Sequence, residues 1–157
     1  MRIKGITDED FINYKVPSMF IATARCTFKC DLEYGSPVCQ NSDLDKAPVK
    51  NIQDHVIVDR YIHNPITSAI VFGGLEPIDQ IDELLRLISL FRTKCQDDIV
   101  IYTGYQKEEI VNQLRYLAAY RNIIIKFGRY IPDQQPHYDP VLGVYLASDN
   151  QYAERIS

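Results

Sequence analysis

The sequence predicts an α/β fold: an open, partial parallel β/α barrel of about five strands covered by helices. Three observations point there. Short apolar, β-branched runs recur at 18–23, 68–72, 98–102, 122–126 and 142–146, continuous rather than alternating, as in strands buried on both faces. The stretches between the middle runs carry apolar residues at three- and four-residue spacing, the pattern of amphipathic helices. About five strands cannot close an eight-stranded barrel, so the sheet stays open or curls only partway.

The elements follow in order. Residues 1–17 are mixed, with Pro17 just before the first strand, where a missing amide donor does no harm. A cysteine loop and a polar connection at 41–46 lead into a helix with Ile52, Val56, Ile57 and Tyr61 inward, stopped by Asn64-Pro65. The strand at 68–72 runs into Gly73-Gly74-Leu75-Glu76-Pro77. The clearest helix comes next, with Ile81, Leu84, Leu85, Ile88 and Phe91 on one face and Pro77 suited to its first turn. The unit then repeats: strand 98–102, turn Thr103-Gly104-Tyr105, and a helix over 106–120 with Ile110, Leu114 and Leu117 inward. A strand at 122–126 ends at Gly128-Arg129. A proline-bearing loop spans 132–140, and the last strand is 142–146.

The 157 residues suit one domain, 1–157, with a core of its own. A content of 46% apolar and 24% charged residues is that of a globular chain. With a net charge of −4 and no basic run, a nucleic-acid partner is not expected. Neither a signal-peptide core nor a membrane-length apolar run is present, so a cytoplasmic protein with reduced thiols and no membrane partner is expected.

In a parallel sheet the loops after the strands gather along one edge, where ligands bind. Here that edge would collect the cysteine loop, Gly73-Gly74-Leu75-Glu76, Thr103-Gly104-Tyr105 and Gly128-Arg129. Cys26, Cys30 and Cys39 fall within fourteen residues; thiols so grouped bind an iron–sulfur cluster or zinc, form a disulfide, or pack as small apolar residues. Three thiolates on a four-iron cube leave one iron open to an outside ligand. Zinc would need a fourth donor, for which His55 and His63 are candidates. Cys95, far along the chain, reads as a half-buried free thiol. Gly73-Gly74 permits close approach to the backbone or simply makes a tight turn. Glu76 suits a helix's first turn or could hold a cationic amine.

These residues together resemble the radical S-adenosylmethionine (SAM) superfamily, and within it the activating proteins of anaerobic ribonucleotide reductase. Cys26, Cys30 and Cys39 match the three-cysteine loop, and Gly73, Gly74, Glu76 and Pro77 match the glycine–acid motif. The activase resemblance adds Asp10-Phe11-Ile12-Asn13, Tyr102-Thr103-Gly104-Tyr105, Gly128-Arg129-Tyr130 and Ser148-Asp149-Asn150-Gln151. The chain differs in placing eight residues between Cys30 and Cys39 where the superfamily pattern has two. The resemblance implies a [4Fe–4S] cluster on the three cysteines that reductively cleaves SAM to a 5′-deoxyadenosyl radical. It implies SAM contacts at Gly73, Gly74 and Glu76 for the amine, Thr103 and Gly104 for the ribose or adenine, and Ser148, Asn150 and Gln151 closing the site. The expected partners are a glycyl-radical reductase and an electron donor such as flavodoxin or ferredoxin. The alternatives are a short radical-SAM enzyme acting on a small molecule or peptide, and a non-catalytic iron–sulfur or zinc protein of the same fold.

Overall fold

Four of the apolar runs form the parallel heart of the sheet in the computed structural model, which describes residues 1–157. The strands are β1 (Arg2–Asp10), β2 (Ser18–Thr23), β3 (Lys50–Asn51), β4 (Ala69–Gly74), β5 (Asp98–Tyr102), β6 (Ile123–Phe127), β7 (His137–Asp139), β8 (Val144–Leu146) and β9 (Tyr152–Arg155). Seven make one mixed sheet in the order β3-β1-β2-β4-β5-β6-β9, in which β2, β4, β5 and β6 are mutually parallel. The antiparallel strands β1 and β3 extend one side, and β9 closes the other. The run at 142–146 does not join this sheet. Its last three residues pair with β7 as a separate hairpin, leaving the edge position beside β6 to β9.

Alternate residues of the parallel strands serve two cores. Met19, Ile21, Ile70, Phe72, Ile99, Ile101, Ile123, Ile125 and Phe127 face the helices α3 (Asp54–Ile62), α4 (Ile81–Arg92) and α5 (Val111–Leu117). Ala69, Val71, Val100 and Ile124 face the other way, under Tyr14, Leu142 and Leu146. Both faces are covered, which is why these strands read as unbroken apolar runs. The long helices, however, all lie on one face.

Helix α4 buries Leu84, Leu87, Ile88 and Phe91, and Pro77 begins a short 3₁₀ turn ahead of it. On α3 the inward residues are Ile57, Val58 and Tyr61, whereas Val56, expected inward, is exposed. The helix is held at its first residue: the Met1 amine donates to Asp54 Oδ1 at 2.6 Å and Arg86 Nε to Asp54 Oδ2 at 2.7 Å, which sets its rotation. The polar connection at 41–46 contains the short helix α2 (Ser42–Lys46), and another short helix, α1 (Lys29–Tyr34), lies within the cysteine loop. No helix is long and apolar enough to cross a membrane.

Candidate metal centre at the strand ends

Parallel pairing in register, with Thr23 opposite Gly74 and Tyr102 opposite Lys126, brings the ends of β2, β4, β5 and β6 to one edge. The segment leaving β2 is bound to the turn leaving β4. Glu76 N donates to Arg25 O (2.7 Å), Ala24 N to Gln80 Oε1 (2.8 Å) and Thr27 N to Asp79 Oδ2 (2.8 Å). Tyr105, after β5, donates its hydroxyl to Asp79 Oδ1 at 2.6 Å. Three strand-end loops are thereby fixed to one another around the thiols.

Cys26, Cys30 and Cys39 are half-buried free thiols lining a single cavity of about 580 Å³. Its wall also includes Gly73, Gly74, Glu76, Tyr102, Thr103, Gly104, Lys126 and Gln151. Burial pushes the Cys26 thiol up to about 12, against the opposing effect of the Phe28 amide, which donates to its sulfur at 3.2 Å. Burial and then the neighbouring Cys39 raise the Cys30 thiol, while the Tyr130 amide and the Arg129 guanidinium favour its thiolate. Amide donors and a cation beside sulfur are what a cluster's thiolates require.

The eight-residue spacer after Cys30 folds back on itself. Asp31 Oδ1 accepts the amides of both Val38 and Cys39 at 2.8 Å, and Gly35, with φ of 79°, ends α1 by donating to Asp31 O at 2.9 Å. Cys39 therefore returns to the cavity despite the length of the excursion. No three His, Cys, Asp or Glu side chains converge on a single metal-ion position. A four-iron cube takes one thiolate per corner, so its donors stand farther apart than those of one ion. Three thiols on the wall of one cavity supply the donor chemistry that such a cube takes. His55 and His63 lie on and just after α3 and do not line that cavity.

Gly74 has φ of 81°, and a Cβ there would stand 2.8 Å from Leu44 Cδ2 and 3.2 Å from Ala22 Cα. Gly74→Ala should destabilise the fold by more than the roughly 1–2 kcal/mol that the left-handed conformation alone costs, read as a drop in Tm. A Cβ on Gly73 would meet the Phe20 ring at 3.0 Å. The glycine pair thus brings strand ends together as well as opening the backbone.

Glu76 is buried and caps the 3₁₀ turn: its Oε1 accepts from Ile78 N (3.0 Å) and its Oε2 from Gly104 N (2.8 Å). Burial raises its carboxyl to about 7 despite those amides. A carboxylate has about four lone-pair sites, and the two amides with the Thr103 side chain take up only part of them, so capping and holding an amine are compatible. Thr103 is buried and accepts from Tyr105 N at 3.0 Å. Of the three terminal candidates, Gln151 reaches the cavity wall. Ser148 and Asn150 are engaged behind it, where Ser148 Oγ accepts from Ile131 N (3.3 Å) and Asn150 Nδ2 donates to Arg129 O (2.9 Å). The mouth is bordered by Ile12, Tyr130 and residues 144–147 rather than by the 132–140 loop.

Two cations take roles at the site that the sequence left unassigned. Lys126, buried at the end of β6, donates to Gly128 O at 2.8 Å, and burial lowers its ammonium to about 8. A lysine closing the run Ile123-Ile124-Ile125 was the available signal, since a charge so placed is rarely buried without purpose. Arg129 forms a bidentate pair with Glu109 (2.8 and 2.7 Å) and approaches Glu33 of α1 at 3.2 Å. It ties the cysteine loop to the β5–α5 connection.

Searches among curated proteins and solved structures return no match. The family model of the 4Fe-4S single cluster domain matches residues 17–151, from the residue before β2 to the last residue of the cavity wall. Because that match spans most of the chain, the protein belongs to the 4Fe-4S single cluster domain family, and a four-iron cluster is its cofactor.

Proposed function

We propose that the protein is a radical-SAM enzyme of the activase type, its open sheet serving as that superfamily's partial barrel. The observation that carries this reading is the reach of the cavity beyond the thiols. Its 580 Å³ extends along the ends of β4, β5 and β6, which leaves room for a second ligand beside a cluster held by Cys26, Cys30 and Cys39. A reduced cluster held by these three thiols would supply the electron for cleavage of SAM to methionine and a 5′-deoxyadenosyl radical.

The chain's own part is binding and placement. The backbone at Gly73-Gly74 and the free lone pairs of Glu76 suit an ammonium group, and the buried ammonium of Lys126 suits a carboxylate. An amino-acid ligand carries both. Thr103, Gly104 and Gln151 offer small or amide-bearing surface for the nucleoside, with Ser148 and Asn150 supporting that wall from behind. Ile12 and Tyr145, 77% and 74% exposed at the mouth, suit a macromolecular cover that excludes water from a radical. That cover is a glycyl-radical reductase, with flavodoxin or ferredoxin as the electron source.

The test is anaerobic reconstitution followed by SAM titration. SAM should perturb the EPR spectrum of the reduced cluster and yield 5′-deoxyadenosine, and mixing with the reductase should give a glycyl doublet. Gly104→Ala sharpens the test. Its Cβ would lie 3.5 Å from Arg129 Cγ, 3.6 Å from Glu76 Oε2 and 3.9 Å from Cys30 Sγ, ordinary contacts that occupy space without strain. The variant should keep its Tm and iron yet bind SAM about tenfold more weakly, the loss of roughly 1.4 kcal/mol. An EPR spectrum unmoved by saturating SAM would leave a cluster protein without this chemistry. SAM cleavage with no glycyl doublet would move the substrate to a small molecule or peptide.

A further inference from the structure

We propose that Asp31 is the positioning residue for the third cluster thiol, a side-chain clasp that lets the cysteine loop carry a long insertion without moving Cys39. The proposal rests on the assignment of Cys39 as a ligand. One carboxylate oxygen, Asp31 Oδ1, takes two backbone amides at 2.8 Å, those of Val38 and of Cys39 itself. Asp31 directly follows Cys30, so the clasp joins the residue after the second thiol to the third thiol's own backbone.

The rest of the insertion stands outside the clasp. Gly35 reverses the chain in the left-handed region, with nothing within 4 Å of where a Cβ would be. Leu32 is 74% exposed and Tyr34 50% exposed. The insertion is therefore a solvent-facing knob whose two ends are held together at its root. A longer loop costs more chain entropy to close, and bonds from a carboxylate to backbone amides are of the charge-assisted kind that offsets such a cost. Residue count between the thiols then ceases to set their separation.

The chemistry predicts a graded series. An asparagine side chain in this place would still present one oxygen to the two amides, whereas alanine presents none, so Asp31→Asn should retain the cluster and Asp31→Ala should not. Outer groups that orient metal ligands are worth about 10- to 100-fold in metal affinity. After anaerobic reconstitution, Asp31→Ala should yield iron to a chelator at least about tenfold more readily than the unsubstituted protein. The EPR signal of its reduced cluster should also fall toward the residual level left by Cys39→Ala. The double variant Leu32→Ser/Tyr34→Ser, confined to the knob, should match the unsubstituted protein in both readouts. Melting of the cluster-free chains controls for folding, and all four variants should melt together because the loop is peripheral to both cores.

Two failures are distinguishable. If Cys39→Ala keeps a full cluster, the ligand assignment falls and the clasp with it. If Cys39→Ala loses the cluster while Asp31→Ala keeps iron and an unchanged spectrum, the clasp alone is overturned. Loss of the cluster in Asp31→Asn equal to that in Asp31→Ala would also overturn it, since an oxygen acceptor would then not be what matters.

Discussion

Replacing Cys26, Cys30 or Cys39 with alanine is expected to abolish stable cluster binding, while Cys95→Ala keeps it. The first three thiols line one cavity. Cys95 packs against the helix-side core beyond α4, and its thiol is shifted upward mainly by burial, as in an inert cysteine. Three thiolates are the minimum that leaves a single open iron. Loss of any one exposes a second corner, and the cube then loses iron on exposure to chelator. Iron and sulfide per chain after anaerobic reconstitution measure this directly. Equal iron loss in Cys95→Ala would overturn the assignment.

Glu76→Ala is expected to be the most damaging substitution outside the cysteines, even in the cluster-free protein. It strips the acceptor from two amides, Ile78 N and Gly104 N. An unsatisfied buried donor costs about 1–3 kcal/mol. The Ile78 amide is buried and the Gly104 amide partly so. A loss on the order of 2–4 kcal/mol is therefore expected, a large share of the roughly 5–15 kcal/mol that holds a domain together. The pH dependence has a definite sign. The carboxyl is raised from 4.5 to about 7 by burial, so the folded chain binds this proton more tightly than the unfolded one. Its contribution to stability is complete below about pH 4.5 and is lost as pH rises through 7, at about 1.4 kcal/mol for each pH unit crossed between those two values. Denaturant midpoints of the cluster-free protein across that window should fall with rising pH, and Glu76→Gln should flatten the trend. A slope unchanged in Glu76→Gln would assign it to another group.

The parallel strands and the cysteine–glycine edge were legible in the sequence because each is written in consecutive residues. A strand buried on both faces, such as Ile123–Phe127, has no competing pattern, and three thiols grouped in one loop stand out in the sequence even though the clasp that returns Cys39 to the cavity does not. The antiparallel strands were not legible. β1 carries Lys4, Gly5, Asp8 and Glu9, and shifts in its register with β2 break the two-residue period that would reveal it. β9 is four residues of mixed polarity that acquire strand geometry only by pairing with β6. Val56 was misread because an anchor 53 positions away, the Met1 amine on Asp54, sets the rotation of α3. Glu76 was legible as a first-turn carboxylate, but its bond to Gly104 spans 28 positions. The partners of Asp31 and Arg129 were hidden for the same reason, since side chain to backbone or side chain to side chain contacts across loops leave no periodic trace.

The placement of every long helix on one face of the sheet bears on how the protein matures. The larger core lies between those helices and β1 to β6, and it contains none of the three loop cysteines. The thiol-lined hollow opens instead toward the side roofed by the Phe11 to Val16 segment and the β7–β8 hairpin, elements that bury a smaller core. Folding of the main body is expected to proceed without iron, because the cysteine loop contributes no residue to that core. The cluster is then expected to be delivered after the chain has folded, through a roof that buries the smaller core and should open at lower free energy than the body behind it. Amides of the roof should accordingly exchange with solvent ahead of those in β4 and β5, and should slow once the cluster is in place.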